Sequence, residues 1–230
     1  MDTLNTIAYI FLAVGGICSI IIIIDLFSGN LQQMMVMNFV WPITALYAGL
    51  LALLAYYKIG RLSTKKAMMK AKMQDKEMPS KQKPFWQSVV VGALHCGSGC
   101  TLGDIMAETL LIFVPVVVFG DKLYGAWTVD FVFAFVLGII FQYYSTKPMK
   151  NLSPKDGFIA ALKADTLSLI SWQIGMYGGM AIATFVIFKH HLQATTPVFW
   201  FVMQFAMLLG FLTAYPVNWW LLKKGIKEVM

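Results

Sequence analysis

The chain has 230 residues, of which 59% are apolar and only 13% are charged, and its formal net charge is +7. Because about a quarter of the residues in a soluble domain are charged, this composition excludes a single water-soluble globule. The basic residues lie in short stretches between long apolar runs, as in membrane proteins. We therefore exclude nucleic acid as a binding partner that would explain the positive charge.

Six segments approach or exceed the length of about 20 mostly apolar residues that a membrane-spanning helix needs. We therefore predict an all-α integral membrane bundle of about six transmembrane helices, with the lipid bilayer as its main partner. Such a bundle also allows a homo-oligomer. The predicted spans are 7–27, 36–57, 85–119, 127–144, 166–188 and 198–222.

The basic residues predict how these spans are oriented. If the N-terminus is inside, every Lys and Arg except Lys122 and Lys189 lies on the cytoplasmic side, as the positive-inside rule requires. We therefore predict a multi-pass protein of the cell membrane with both termini in the cytoplasm. Its three parts are a two-helix hairpin (residues 1–57), a basic cytoplasmic linker (58–84) and a four-helix domain (85–230).

The third segment is the one that carries polar chemistry. It is too long for one straight crossing, and its glycines and Pro115 predict a helix that is kinked or broken near Gly97–Gly99. Cys96, Cys100, Asp104 and Glu108 recur every four residues, a spacing that turns only about 40° per step around a helix. Two thiols and two carboxyls therefore form one stripe, and His95 adjoins it.

Three interpretations of this stripe remain open. In the first, His95, Cys96 and Cys100 ligate a soft or borderline metal ion, copper or zinc, while Asp104 and Glu108 attract or relay cations. In the second, the two cysteines form a membrane thiol–disulfide pair, since residues one helical turn apart are within disulfide reach. In the third, the small residues and carboxyls serve only helix packing.

Methionine adds to the metal interpretation, since thioethers accept soft ions. One group, Met34, Met35 and Met37, is expected on the outer side, and two helical pairs lie in the fifth and sixth spans. Met is equally a flexible apolar filler of helix interfaces. The pairs are Met176 with Met180, and Met203 with Met207.

Three acids outside the third segment receive simpler interpretations. We expect Asp25 and Asp130 to lie near outer helix ends and to reach water. Asp165 lies at the inner mouth of the fifth span, where it either pairs with a lysine of a loop or marks the exit of a cation path. The sequence has no phosphate-binding loop and no dinucleotide fingerprint, so it favours no enzyme activity.

The run from His95 to Asp104, HCGSGCTLGD, followed by Glu108, resembles the signature of a prokaryotic membrane family catalogued as a domain of unknown function (DUF4396). The ending from Thr213 to Leu221, TAYPVNWWL, resembles the last helix of that family. The resemblance covers roughly residues 85–230. It implies a polytopic membrane protein of bacteria or archaea and leaves the activity open.

Overall fold

The computed structural model describes residues 2–80, 82–150 and 152–228, and these are helical with no strand. Six helices are long and apolar enough to cross a membrane, as predicted. A short amphipathic helix, α3, lies in the basic linker. The helices are α1 (Asp2–Asp25, continued by a π-helical turn Leu26–Asn30), α2 (Met37–Lys58), α3 (Lys65–Met73), α4 (Phe85–Phe113), α5 (Lys122–Lys150), α6 (Pro154–Ala181, continued by Ile182–Phe188) and α7 (Pro197–Lys223).

Helix α2 folds back on itself at Gly49. Gly49 has φ 50° and ψ −123°, which interrupts the helix, and this conformation is open to glycine and strained for other residues. The rings of Trp41 and Tyr56 consequently pack 5.7 Å apart, whereas a straight helix would separate these positions by about 22 Å. The two arms of α2 therefore enter and leave the bundle at the same end.

The fold-back determines which segments share an end of the bundle. Tyr56 donates a hydrogen bond to Asp25 at the end of α1, Arg61 forms a salt bridge with the same carboxylate, and the main chain of Gln33 donates to Ser63. Ser145, near the end of α5, contacts Met34. We call this end of the bundle the basic end, because the linker, the start of α6 and the C-terminal tail also lie there.

The other end of the bundle, which we call the far end, contains the start of α1. Phe11 of α1 packs against Phe201 of α7, with ring centroids 5.1 Å apart, near the position where α7 begins. The connections 114–121 and 189–196 also lie there. The N-terminal and C-terminal helices thus begin and end at opposite ends of the bundle, which differs from the prediction that both termini share one side.

Two further predictions are corrected by the fold-back. Met34, Met35 and Met37 lie at the basic end, beside the linker, rather than opposite it. Asp25 does not simply reach water, because it is bound by Tyr56 and Arg61. Of the basic residues that determined the predicted orientation, Lys81 and the side chains of Lys147 and Lys150 lie outside the described residues.

Helix α4 occupies the centre of the bundle and is its most buried span. It continues without a non-helical residue through Gly97–Gly99 and ends at Phe113, so the expected break at these glycines is not present. The glycines instead allow close packing. A Cβ atom on Gly99 would lie 2.7 Å from the Cα of Gly138, and one on Gly103 would lie 2.5 Å from the main-chain nitrogen of Ala134. Helices α4 and α5 therefore meet backbone to backbone.

Candidate functional site

All five residues that the sequence singled out lie on α4 and are buried. His95, Cys96, Cys100 and Asp104 are fully buried, and Glu108 is 8% exposed. They do not converge on one point, since the helix separates the first from the last by about 20 Å. Among the described residues, no group of three or more His, Cys, Asp or Glu side chains has the spacing of a metal site. The structure divides the five into three groups along the helix.

The first group is a cluster of carboxyls in the half of α4 toward the far end. Asp104 and Glu108 are joined there by Asp130 of α5, which is 1% exposed. The carboxyls of Glu108 and Asp130 lie close enough to interact, and a hydrogen bond between them requires one of them to hold a proton. Both oxygens of Asp104 and one oxygen of Asp130 are buried without a hydrogen-bond partner. We call these three residues the carboxyl cluster.

A cavity of about 490 Å³ extends from the carboxyl cluster toward the far end. Glu108 and Asp130 line it, and its mouth carries Lys122 and His191. Trp127 and Tyr177 form part of its wall as a stacked pair with ring centroids 5.3 Å apart. Three thioethers, those of Met176, Met180 and Met203, also line it.

A second cavity, of about 290 Å³, lies on the other side of α4 and is lined by Asp104 and by the tip of the α2 hairpin. Because the helix stops at Gly49, the last carbonyls of the first arm lack their usual helical partners. Gln204 of α7 donates to one of them, that of Leu46, at 2.7 Å. The partial negative charge of this helix end therefore points into the middle of the bundle, near Asp104. Met203 lines both cavities.

The second group is the thiol pair in the middle of α4. Cys96 and Cys100 are free thiols and lie close enough to interact. They pack in one buried cluster with Trp172, Met176 and Met207. Sulfur atoms from three helices thus surround the centre of the bundle, and none of them is exposed by more than about 1%.

The third group adjoins the thiol pair on its side toward the basic end. His95 is near Asp165 of α6 and Lys227 of the tail, close enough to interact with both charges. Lys227 and Asp165 form a salt bridge of 2.9 Å in which both side chains are fully buried. Neither ring nitrogen of His95 has a hydrogen bond of good geometry, although the main chain of Phe141 is close to the ring.

Sequence reasoning missed two members of these groups. Asp130 was expected to reach water, and the structure buries it against Glu108. The sequence signal that could have identified Asp130 was its position inside an apolar run. An acidic side chain there is unfavourable in free energy and usually has a function. Asp165 was expected either to pair with a lysine of a loop or to mark the exit of a cation path, and its partner is Lys227 of the tail. No local pattern joins two residues so distant in the sequence.

A family model described as a domain of unknown function (DUF4396) matches residues 85–227. The chain belongs to this family. The match begins at the first residue of α4 and ends at Lys227, so it includes the carboxyl cluster, the thiol pair and the Lys227–Asp165 salt bridge. No curated protein and no solved structure gives a significant match.

Proposed function

We propose that this DUF4396 protein carries a cation across the membrane along α4, and that its cargo is a soft metal ion such as copper(I). The observation that carries the proposal is the carboxyl cluster. Three acids lie together between two cavities, and the salt bridges seen in the described part of the chain involve other acids, among them Asp25, Asp121 and Asp165.

Electrostatics explains why such a cluster favours a cation. An ionised carboxylate away from water is unstable unless a proton, a positive side chain or a metal ion neutralises it. Here the protein provides no positive side chain to Asp104, whose two oxygens are buried without a partner. An entering cation would supply the missing charge, and the cavity beside Glu108 and Asp130 gives it a route from the far end.

The identity of the cargo follows from the walls of that route. Hard ions gain little from thioethers, whereas copper(I) accepts them. Met176, Met180 and Met203 line the first cavity, and the thiols of Cys96 and Cys100 follow further along α4. These sulfur atoms do not form a closed tetrahedral site, which is consistent with a cargo that passes rather than a metal that stays.

The orientation of the path follows from the charges. If the basic end faces the cytoplasm, as the positive-inside rule predicts, the first cavity opens to the outside and the N-terminus is external. In a prokaryote the membrane would be the cell membrane. The path then leads inward from the carboxyl cluster, past the thiols, to His95 and Asp165.

The thiol–disulfide alternative has one observation in its favour, the proximity of the Cys96 and Cys100 thiols. Both side chains are fully buried, which leaves a redox partner no access to them. Replacing both cysteines by serine separates the alternatives. If the protein is a transporter, the double variant should still take up cations in a carboxyl-dependent manner but select copper(I) less strongly. If it is a redox protein, the double variant should lose all activity.

Uptake by reconstituted vesicles tests the proposal. Purified protein is inserted into liposomes that contain a copper(I)-sensitive dye, and uptake is followed under reducing conditions beside zinc and potassium. We expect Asp104→Asn, Glu108→Gln and Asp130→Asn each to slow copper uptake by about tenfold or more, equivalent to about 1.4 kcal/mol.

The matched control is Glu77→Gln, the same chemical change at an exposed linker position, which should leave uptake unchanged. Carboxyl variants that transport at the rate of the original protein would refute the proposed role of the cluster. If vesicles that contain the protein take up copper, zinc and potassium no faster than protein-free vesicles, cation transport is refuted.

A further inference from the structure

Lys227 is a lysine in an unusual place. It follows α7 in the C-terminal tail, yet its side chain is fully buried. Its ammonium donates three hydrogen bonds, to the carboxylate of Asp165 at 2.9 Å, to the side-chain oxygen of Asn218 at 2.9 Å and to the main-chain carbonyl of Gly92 at 3.0 Å. Three acceptors from three helices thus use all three N–H groups of one ammonium.

The acceptors are held in place independently of Lys227. The amide group of Asn218 donates to Ser168 at 2.6 Å and to the carbonyl of Ala214 at 2.9 Å, which fixes its oxygen toward the ammonium. The second oxygen of Asp165 is buried and has no partner. This is the geometry of a preformed site for a primary ammonium, in which the second oxygen of Asp165 is an additional acceptor without a donor.

The tail has to reverse direction to reach this site. Gly225 adopts φ +68°, and the main-chain N–H groups of Ile226 and Lys227 both donate to Leu221. This is the usual way in which a helix ends at a left-handed glycine. The turn directs the Lys227 side chain back between α4, α6 and α7, beside His95 and toward the thiol pair.

We infer that Asp165, Asn218 and the Gly92 carbonyl form a second cation site at the basic end, which takes primary ammonium ions, and that Lys227 is its tethered occupant. While Lys227 is bound, the end of the path along α4 is closed. Withdrawal of the tail opens it and frees a carboxylate for the arriving cation. The ammonium site stands on its own geometry, and only the closing of the path rests on the proposed transport function.

Chemical rescue tests the site without any transport measurement. Lys227→Ala removes the part of the side chain that propylammonium can replace. We expect the variant in detergent to have a lower melting temperature than the original protein, and propylammonium to raise it again in a saturable manner. Tetramethylammonium, which has no N–H donor, should have no effect. Absence of rescue in a folded variant would overturn the assignment of the site.

Two controls locate the effect at Asp165. Lys224→Ala changes an exposed lysine of the same tail and should show neither the loss nor the rescue. The double variant Lys227→Ala/Asp165→Asn should not respond to propylammonium, because the charged acceptor is gone. A response of the double variant equal to that of the single variant would also refute the site.

The closing of the path is tested by flux. In the vesicle assay, Lys227→Met, which keeps the apolar stem and removes the charge, should transport copper(I) several-fold faster than the original protein. Lys227→Arg should remain slow. Rescue by propylammonium together with unchanged or slower flux in Lys227→Met would refute the gate and leave the site. Copper uptake absent from the original protein would instead count against the proposed function alone.

Discussion

Trp41 and Tyr56 stand near opposite ends of one apolar run, and in the folded protein their rings pack against each other. This contact is possible only because α2 reverses at Gly49. Non-helical backbone at membrane depth is tolerated where other parts of the protein surround it, and the α2 tip is packed against α4 and α7. The hairpin thus brings a helix end to the carboxyl cluster, as in transporters that use interrupted helices at their ion sites.

Cysteine labelling distinguishes a hairpin from a crossing helix. In a background without the three native cysteines, Met35→Cys should react from the same side of the membrane as Glu77→Cys and from the opposite side to Gln193→Cys. All three positions are exposed. A membrane-impermeant thiol reagent applied to intact cells and to inverted vesicles gives the result. Labelling of Met35→Cys together with Gln193→Cys would mean that α2 crosses the membrane.

Gly49 should be intolerant of any side chain. The space is sufficient, since an added Cβ would meet only Val14, at 3.6 Å, so the cost of Gly49→Ala arises from the backbone conformation. We expect a loss of about 1–3 kcal/mol in stability, measured as a lower melting temperature in detergent. Gly16→Ala in the neighbouring helix α1, where an added Cβ meets nothing within 4 Å, is the control. Equal melting temperatures for the two variants would contradict the strain at Gly49.

Hydropathy allowed the long helices to be predicted because lipid requires a fixed length of apolar residues. The stripe on α4, with its spacing of four residues, was predicted because helical periodicity is local. Neither signal contains the reversal of α2, since both of its arms are apolar and one glycine among 18 marks the turn. Consequently the sequence predicts both termini on one side, whereas α1 begins at the far end and α7 ends at the basic end.

The candidate site also combines residues that the sequence could predict with residues that it could not. Asp104 and Glu108 were predicted as partners because they belong to one helix face. Asp130 and Lys227 were not predicted, because their positions depend on how α5 and the tail pack against α4. The stripe itself was too long for one site, and only the neighbouring helices show that it divides into the carboxyls, the thiol pair and His95, which lies beside the Lys227–Asp165 salt bridge.

Replacing thioethers tests the cargo separately from the path. The triple change Met176→Leu, Met180→Leu and Met203→Leu conserves volume closely and removes all three soft ligands from the first cavity. We expect copper(I) uptake to fall by about tenfold while any transport of zinc or potassium remains. The same three positions changed in pairs would show whether the loss is graded. Copper uptake that survives the triple change would mean that the sulfur atoms serve packing alone.

The close approach of α4 and α5 predicts a second sensitive glycine. In Gly103→Ala the new methyl group would lie 2.5 Å from the main chain of Ala134, so the two helices would have to separate. We expect a loss of about 1–3 kcal/mol and, because Asp130 is on α5, a disturbed carboxyl cluster with slower uptake. Gly178→Ala, at an exposed helical glycine with nothing within 4 Å, should be neutral or slightly stabilising. Similar melting temperatures for both variants would contradict this backbone contact.

The pH dependence of stability should carry a contribution from Lys83, which lies in the linker outside the spans. Burial lowers the pKa of Lys83 from its ordinary value of 10.5 to about 8. The folded protein therefore favours the neutral amine, and the unfolded chain holds the proton up to the ordinary pKa. Below the folded pKa of about 8, the buried charge destabilises the folded protein to its full extent. This destabilisation disappears as the pH rises from about 8 toward 10.5.

Replacing Lys83 by methionine isolates this contribution. Lys83→Met should melt at a higher temperature than the original protein at pH 7, and the difference should shrink as the pH is raised through the folded pKa of about 8. The loss of the hydrogen bond from Lys83 to Ser63 acts in the opposite sense and does not change with pH while the amine can still donate. Lys76→Met, at an exposed linker lysine, should show no such trend. A difference that stays constant between pH 7 and pH 10 would mean that Lys83 titrates as a solvated lysine.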